Sequence, residues 1–259
     1  MEQLTWQSPA IPDGIAAIRS RSPFVYGLTN YVAANLSANV LLAVGAGPAI
    51  GAAADFPTVF PAGAGAVWIN TAALVSNPAE PVTDAARTAH EAGTPWVLDP
   101  VAAGAGAGEY DAFVTALLGL RPTVIRGNAS ELVALSGGDS TGKGVETTLS
   151  SEDAIGAVEE LARRTGAVVA VSGPTDYLTD GTRTVAVPGG DARLTQVTGA
   201  GCSLGALIAA ALAVVPDALT AAAIAHVAFA TAAERAGART RGTGSFAVAL
   251  LDELSLLGR

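Results

Sequence analysis

Short apolar runs alternate with longer helical ones along this chain, and four of the apolar runs stop on a polar residue. Gly65-Ala66-Val67-Trp68-Ile69-Asn70 reads as a buried strand, and Pro78 to Ala92 as a helix stopped at Gly93. Pro95-Trp96-Val97-Leu98-Asp99 is a second strand, followed by a helix over Glu109 to Leu118. Thr123-Val124-Ile125-Arg126 is a third, with a short helix after Asn128. A helix over Ser151 to Thr165, opened by the capping pattern Ser150-Ser151-Glu152-Asp153, leads into a fourth strand, Ala167 to Ser172. Thr182 to Val187, after the turn Asp180-Gly181, reads as a hairpin-like edge. From Ser203 onward three helices follow, with breaks at Pro216 and at Thr240 to Thr243. Alternation of this kind specifies an α/β sandwich of three layers, with helices flanking a mainly parallel sheet.

In such sheets a ligand sits beyond the carboxyl ends of the strands. Those ends carry Asn70, Asp99, Arg126 and Ser172. Packing alone does not require four polar residues in register. The loop Gln196-Val197-Thr198-Gly199-Ala200-Gly201-Cys202-Ser203-Leu204 adds a second signal, because it places Gly199 and Gly201 in front of what reads as the longest apolar helix. Glycines there let backbone N–H groups converge, and the helix contributes the positive end of its dipole, so the loop is suited to an anion such as a phosphate. Cys202 is the only cysteine. The same field predicts a thiol of depressed pKa, and the alternative is a buried, inert core residue.

Composition narrows the class. The chain has 259 residues, 50% hydrophobic and 14% charged, and nothing breaks it into pieces, so residues 1–259 are expected to form one domain. Mean hydropathy is +0.43, driven by alanine; this points to closely packed helices, since the run Ser203 to Val215 is shorter than the roughly 20 residues a membrane span needs. A single cysteine excludes an internal disulfide framework. The first residues do not form a secretory signal, and a cytoplasmic enzyme is expected. Net charge is −9, and Lys143 is the only lysine, so nucleic-acid binding is not expected.

Several tempting motifs fail on their own chemistry. Gly137-Gly138-Asp139-Ser140-Thr141-Gly142-Lys143-Gly144 approaches a phosphate-binding P-loop, but Gly144 stands where a hydroxyl must meet Mg²⁺, and the segment follows a helix instead of a strand. Gly104-Ala105-Gly106-Ala107-Gly108 lacks dinucleotide-fingerprint spacing. His90 reads as a surface residue and His226 as a helix-packing one, leaving no Ser-His-Asp arrangement. Asp99-Pro100 is either a turn or a Mg²⁺ partner. Glu131 is either the closing residue of a capping box on Asn128 or a group facing phosphates through Mg²⁺ and water, and spacing leaves both open.

Several segments together resemble the hydroxyethylthiazole kinases, ribokinase-like enzymes of thiamine-precursor salvage. They are Gly27-Leu28-Thr29-Asn30-Tyr31-Val32-Ala33-Ala34-Asn35, Ala38 to Pro48, Asp99-Pro100-Val101, Pro122 to Glu131, Gly142-Lys143-Gly144-Val145 and Thr198 to Cys202. The resemblance implies a ribokinase-like fold and transfer of the ATP γ-phosphate to the primary hydroxyl of 4-methyl-5-(2-hydroxyethyl)thiazole. It also implies Mg²⁺ and a homotrimer with sites between subunits. Carried over by position, Arg126, Ser172 and Gly201 would contact ATP. Gly199 and Ile50 would contact the thiazole, with Asn30 near its pocket. Asp99 and Glu131 would belong to the Mg²⁺–phosphate network, and Cys202 falls where related kinases place an aspartate base. That comparison, and a loose transition state, reduce Cys202 to a modest acceptor of the hydroxyl proton late in transfer. The family usually has methionine at Ile50, threonine at Ser172 and Ala200, and a histidine just before Thr29, where this chain reads Val25-Tyr26-Gly27. Ser172 keeps a hydroxyl, Ile50 keeps apolar bulk, and Ala200 keeps its backbone N–H. The same fold also carries hydroxymethylpyrimidine and pyridoxal-type kinases and an ADP/ATP-dependent nicotinamide-hydrate dehydratase, which remain the alternative readings, together with a non-catalytic nucleotide or thiazole sensor.

Overall fold

A computed structural model describes residues 1–137 and 149–259. The near-P-loop segment with Lys143 therefore lies almost wholly outside the described residues. The chain opens with β1 (Glu2–Gln3), α1 (Ala10–Arg21), β2 (Phe24–Leu28), α2 (Tyr31–Val44), β3 (Gly47–Ile50) and α3 (Phe56–Gly63). The middle runs through β4 (Ala66–Asn70), α4 (Ala79–Ala92), β5 (Trp96–Asp99), α5 (Gly108–Leu117), β6 (Val124–Asn128) and α6 (Ala129–Ser136). After the undescribed segment come α7 (Ile155–Thr165), β7 (Val168–Ser172), β8 (Thr175–Thr179) and β9 (Thr184–Pro188). Three helices close the chain: α8 (Ala200–Leu212), α9 (Ala218–Arg239) and α10 (Thr243–Leu256).

One nine-stranded sheet has the order β1-β9-β8-β7-β6-β5-β4-β2-β3. From β3 to β7 every pairing is parallel; only β8 runs against its neighbours. The expected three-layer sandwich is therefore the one observed. Because side chains alternate across a strand, each strand feeds two cores. Val25, Trp68, Val97, Val124 and Ala170 face a cluster built with α1, α2, α8, α9 and α10. Tyr26, Ile69, Leu98, Ile125 and Val171 face the opposite cluster with α4, α5, α6 and α7. Burial of one such aliphatic side chain contributes roughly 1.5–3 kcal/mol.

Alanine has the role its abundance implied. Ala209, Ala210 and Ala211 of α8 and Ala221, Ala222 and Ala223 of α9 are fully buried, and the two helices pack on each other. Small side chains let the backbones approach closely, so hydropathy is high without a membrane span. Among the described residues no helix is long and apolar enough to cross a membrane. One expectation needs correcting: the helix after the glycine loop, α8, has 13 residues, whereas α9 has 22 and is the longest.

Elements legible from periodicity form within a few residues of their expected limits. Gly93 ends α4 with φ +69°, as a left-handed cap should. The pattern at Ser150 does close: the Asp153 N–H donates to Ser150 Oγ at 3.1 Å, and the Ser150 N–H donates to Asp153 Oδ2 at 3.2 Å. That turn precedes the helix, which begins at Ile155 instead of Ser151. β6 runs to Asn128, two residues past the expected end at Arg126. The hairpin strand expected at Thr182 to Val187 is β9, but it is not an edge, because the two-residue β1 pairs along its other side; its hairpin partner β8 carries no comparable apolar run. β2 and β3 were hidden from a periodicity reading by glycine and proline. Gly27 is needed because a Cβ there would stand 2.8 Å from the Trp68 ring. Pro48 sits in β3, at the edge of the sheet, where a missing N–H is tolerated.

Candidate active site

The four polar strand-end residues form one chain of contacts, with hydrogen bonds at its two ends and an ion pair between them. Asn70 and Asp99 lie opposite each other in the register of β4 and β5. Asn70 Nδ2 donates to Asp99 Oδ2 at 2.9 Å, and Arg126 Nη1 stands 3.9 Å from that same oxygen. Arg126 Nε and Nη2 donate to Ser172 Oγ at 3.1 and 2.9 Å. A guanidinium is a rigid planar fork, so two fixed donors on Ser172 determine where the third nitrogen points. A Cβ added at Gly201 would lie 3.2 Å from Arg126 Nη1. The arginine is thus pressed against the first turn of α8.

That turn is the expected anion loop. Gly199 caps α8 with φ +84°, a conformation open to glycine at no steric cost. The first intrahelical bond is donated by Ser203 N–H to the Gly199 carbonyl at 2.8 Å. Helix geometry leaves the N–H groups of Gly201 and Cys202 without an acceptor inside α8. They share their position with the positive end of the helix dipole and with Arg126. On one side of the loop a cleft of about 570 Å³ is lined by Arg126, Ser172, Ala200, Gly201 and Leu204 together with residues of β8 and α9. On the other side a Cβ at Gly199 would meet Ala33 Cα at 3.1 Å. Gly199→Ala is therefore expected to cost about 1–2 kcal/mol for the left-handed backbone and to displace the loop. Urea midpoints and turnover should both fall, and an unchanged midpoint would contradict this account.

The residues assigned to the acceptor side lie away from that cleft. Asn30 is the N-cap of α2, its Oδ1 accepting from the Ala33 N–H at 2.7 Å. Ile50 ends β3, and its Cγ1 would be 3.7 Å from a Cβ at Gly27. Asn30 and Ile50 both sit at or just beyond the carboxyl ends of strands, at the β2–β3 end of the sheet, and Gly199 touches α2 one turn from Asn30.

Asp99 is wholly buried, and its Oδ1 has no hydrogen-bond partner among the described residues. Burial pushes its pKa up to about 7, with Arg126 and Asn70 opposing the rise and Glu131 adding to it. Glu131 closes the capping box with Asn128. Its Oε2 accepts from the Asn128 N–H at 2.8 Å and its Oε1 from the Ala102 N–H at 2.9 Å. Both of its oxygens are thereby committed to backbone, so the capping role is real whatever else the carboxylate does.

Cys202 departs from expectation. Burial and the charge of Asp99 push its thiol up to about 11, against the opposing pull of Arg126 and a hydrogen bond from Asn70. The helix terminus does not win, because desolvation disfavours the thiolate more than the dipole favours it. The depressed thiol pKa expected from the loop does not form.

Some of the site was not foreseen. Gly205 lets α8 settle on the sheet: a Cβ there would lie 2.6 Å from Trp68 Nε1 and 3.5 Å from Asp99 Oδ2. The far wall of the cleft is made by Asp176, Gly189, Gly190, His226 and Phe229. The Gly189-Gly190 pair, with φ of +110° and +95°, was the sequence signal for a turn at that wall. His90 is exposed, as expected.

A doubly flanked parallel sheet with a cleft at its carboxyl edge, closed by a glycine loop, a helix terminus and a fixed arginine, defines a ribokinase-like phosphotransferase. The sequence profile of the hydroxyethylthiazole kinase family matches residues 15–259. A hydroxyethylthiazole kinase of Burkholderia pseudomallei (strain 668) is 68% identical over 257 residues, covering 99% of this chain and 93% of that protein. One from Leptospira borgpetersenii serovar Hardjo-bovis (strain JB197) is 47% identical, covering 97% of this chain and 95% of that protein. The solved structure of hydroxyethylthiazole kinase from Pyrococcus horikoshii OT3 superposes with a TM-score of 0.85 at 35% identity, covering 95% of this chain and 92% of that one. The chain belongs to the hydroxyethylthiazole kinase family, and it is a kinase with ATP as phosphoryl donor.

Proposed function

We propose that this enzyme transfers the γ-phosphoryl of ATP to the primary hydroxyl of 4-methyl-5-(2-hydroxyethyl)thiazole. The observation that carries this reading is the position of the Gly199–Cys202 loop, with the Arg126-lined cleft on one side and the Asn30-capped end of α2 on the other. ATP fills the cleft, with Arg126, Ser172 and Gly201 at its phosphates. The thiazole lies between Asn30, Ile50 and Gly199. Phosphoryl transfer depends chiefly on positioning and on stabilising spread charge. The N–H groups from Gly199 to Cys202 and the Arg126 guanidinium supply that stabilisation from fixed positions. The oxygen of the alcohol bonds to phosphorus as the bond to ADP breaks.

Mg²⁺ is the metal we assign. Among the described residues no three His, Cys, Asp or Glu side chains converge on a metal position. Magnesium needs no such cluster, since it keeps waters and uses one or two carboxylates beside substrate phosphates. Asp99 fits this role, because its Oδ1 is buried with no partner. Glu131 has both oxygens engaged and acts through its charge and intervening water. When bound, the ion would neutralise charge on the phosphates.

At neutral pH a thiol held at about 11 carries its proton, so the expected late acceptance of the hydroxyl proton by Cys202 gives way to a weak hydrogen bond with the acceptor hydroxyl, and the hydroxyl proton leaves on a phosphoryl oxygen. Cys202→Ala should lower kcat several-fold, about the value of one weak hydrogen bond. Cys202→Asp should retain or raise kcat, since a carboxylate is a true proton acceptor. Complete inactivity of a folded Cys202→Asp would count against this placement.

The activity itself is tested by thiazole-dependent ADP release with analysis of the product. A phosphorylated thiazole supports the assignment. Turnover only with a hydroxymethylpyrimidine or pyridoxal-type alcohol would transfer it to another vitamin kinase, nucleotide consumption without a phosphorylated alcohol would favour the dehydratase chemistry, and nucleotide or thiazole binding with no turnover would favour a sensor. We further assign residues 1–259 to one domain acting in the cytoplasm, within a homotrimer whose sites lie between subunits. The exposed Tyr31 and Val32 beside Asn30 are consistent with a partner subunit covering that end of α2.

A further inference from the structure

His226 is a buried polar group that this mechanism leaves unused. It lies on α9 with 1% of its surface exposed, among alanines, and its Nδ1 is 2.6 Å from Asp176 Oδ2 on β8. The other carboxylate oxygen of Asp176 accepts from the Gly173 N–H at 2.8 Å. Gly173 directly follows Ser172, and the Ser172 hydroxyl accepts both donors of Arg126. A continuous path of hydrogen bonds and one peptide link therefore runs from α9 to the guanidinium at the head of α8. All five residues line the cleft.

A histidine that merely fastens α9 to β8 would be expected to satisfy both ring nitrogens. Here Nε2 is buried and has no partner among the described residues, and an unpaired buried polar atom works against stability. A carboxylate on Nδ1 fixes the tautomer with the proton on that nitrogen and fixes the ring plane. The carboxylate is fixed in return, and it holds the backbone of a turn that has no ladder of its own: Gly173 and Pro174 link two antiparallel strands at the mouth of the cleft. We propose that His226 and Asp176 are positioning residues for nucleotide binding, locking the Ser172–Gly173–Pro174 turn so that Ser172 holds Arg126 toward the phosphates. This rests on the assignment of the cleft to ATP and is independent of which alcohol is phosphorylated.

The test is ATP affinity by calorimetry, with KM for ATP and for the thiazole measured separately, in the full-length enzyme. His226→Phe keeps an aromatic ring, somewhat larger than imidazole, but removes the donor to Asp176, and Asp176→Ala removes the carboxylate from a more exposed position. Each should weaken ATP binding by about tenfold, the scale of one charge-assisted hydrogen bond, with KM for the thiazole unchanged. His226→Asn keeps an N–H donor near the place of Nδ1 and should restore ATP affinity to near the parent value. Folded variants that bind ATP like the parent, or a rise of both KM values together, would overturn the proposal. So would unfolding of both His226→Phe and Asp176→Ala, which would assign the pair to the fold alone. Absence of thiazole turnover in the parent would remove the substrate assignment but leave the calorimetric comparison intact.

Discussion

Arg126→Ala is expected to lower kcat/KM for ATP by about 10²–10³, the usual loss when one fixed donor to developing charge is removed. The size follows from how firmly the side chain is held. Two of its nitrogens are spent on Ser172 Oγ, and the third lies between Asp99 and the first turn of α8. Alanine removes the positive charge and leaves Ser172 Oγ without its donors. Arg126→Lys restores the charge but not the fork, because a single ammonium cannot bond Ser172 twice and still face the phosphates. It should recover only a minor part of the activity. Steady-state kinetics with ATP varied check both variants. An unchanged KM for ATP together with an unchanged kcat in Arg126→Ala would remove this residue from the site.

Asp99→Asn should abolish most activity and yet stabilise the ligand-free protein at neutral and alkaline pH. Burial raises the Asp99 pKa in the folded state to about 7 from its ordinary 3.8. Between those values the folded protein holds a proton that the unfolded chain has lost, so stability falls as pH rises through that window. Above pH 7 the cost of the buried carboxylate amounts to at most about 4 kcal/mol, and below about pH 4 it vanishes. Asparagine carries no charge, and its amide oxygen can still accept from Asn70. Urea midpoints of parent and variant should therefore coincide below about pH 4, diverge as pH rises to about 7 and stay apart above it, with the variant higher. A difference independent of pH would show that Asp99 is not held at raised pKa. Near neutrality the charged form of this carboxylate, which the proposed metal role requires, comes at the expense of the fold.

Much of this site is legible in the sequence. Asn70, Asp99, Arg126 and Ser172 each end or nearly end an apolar run, and in a parallel sheet such ends come together by construction. The Gly199–Cys202 loop was legible for a similar reason, since glycines before an apolar helix carry their geometry locally. Spacing alone does not decide between the two roles of Glu131, because its box partner, Asn128, lies three residues away while its second partner, the Ala102 N–H, comes from another loop. β2, β3 and β8 are not legible from periodicity, as they are short and carry polar residues, glycine or proline at positions whose reason is a neighbour distant in sequence.

By itself, the sequence determined the alternating layers, the anion loop and the family to which the chain belongs, because these rest on residues that are neighbours along the chain or recur at the period of a helix or strand. Tertiary structure decided the protonation of Cys202 and Asp99 and the pairing of His226 with Asp176. The reason is physical. Desolvation depends on everything packed around a group, and a hydrogen bond spanning 50 residues of sequence exists only once α9 has been laid against β8.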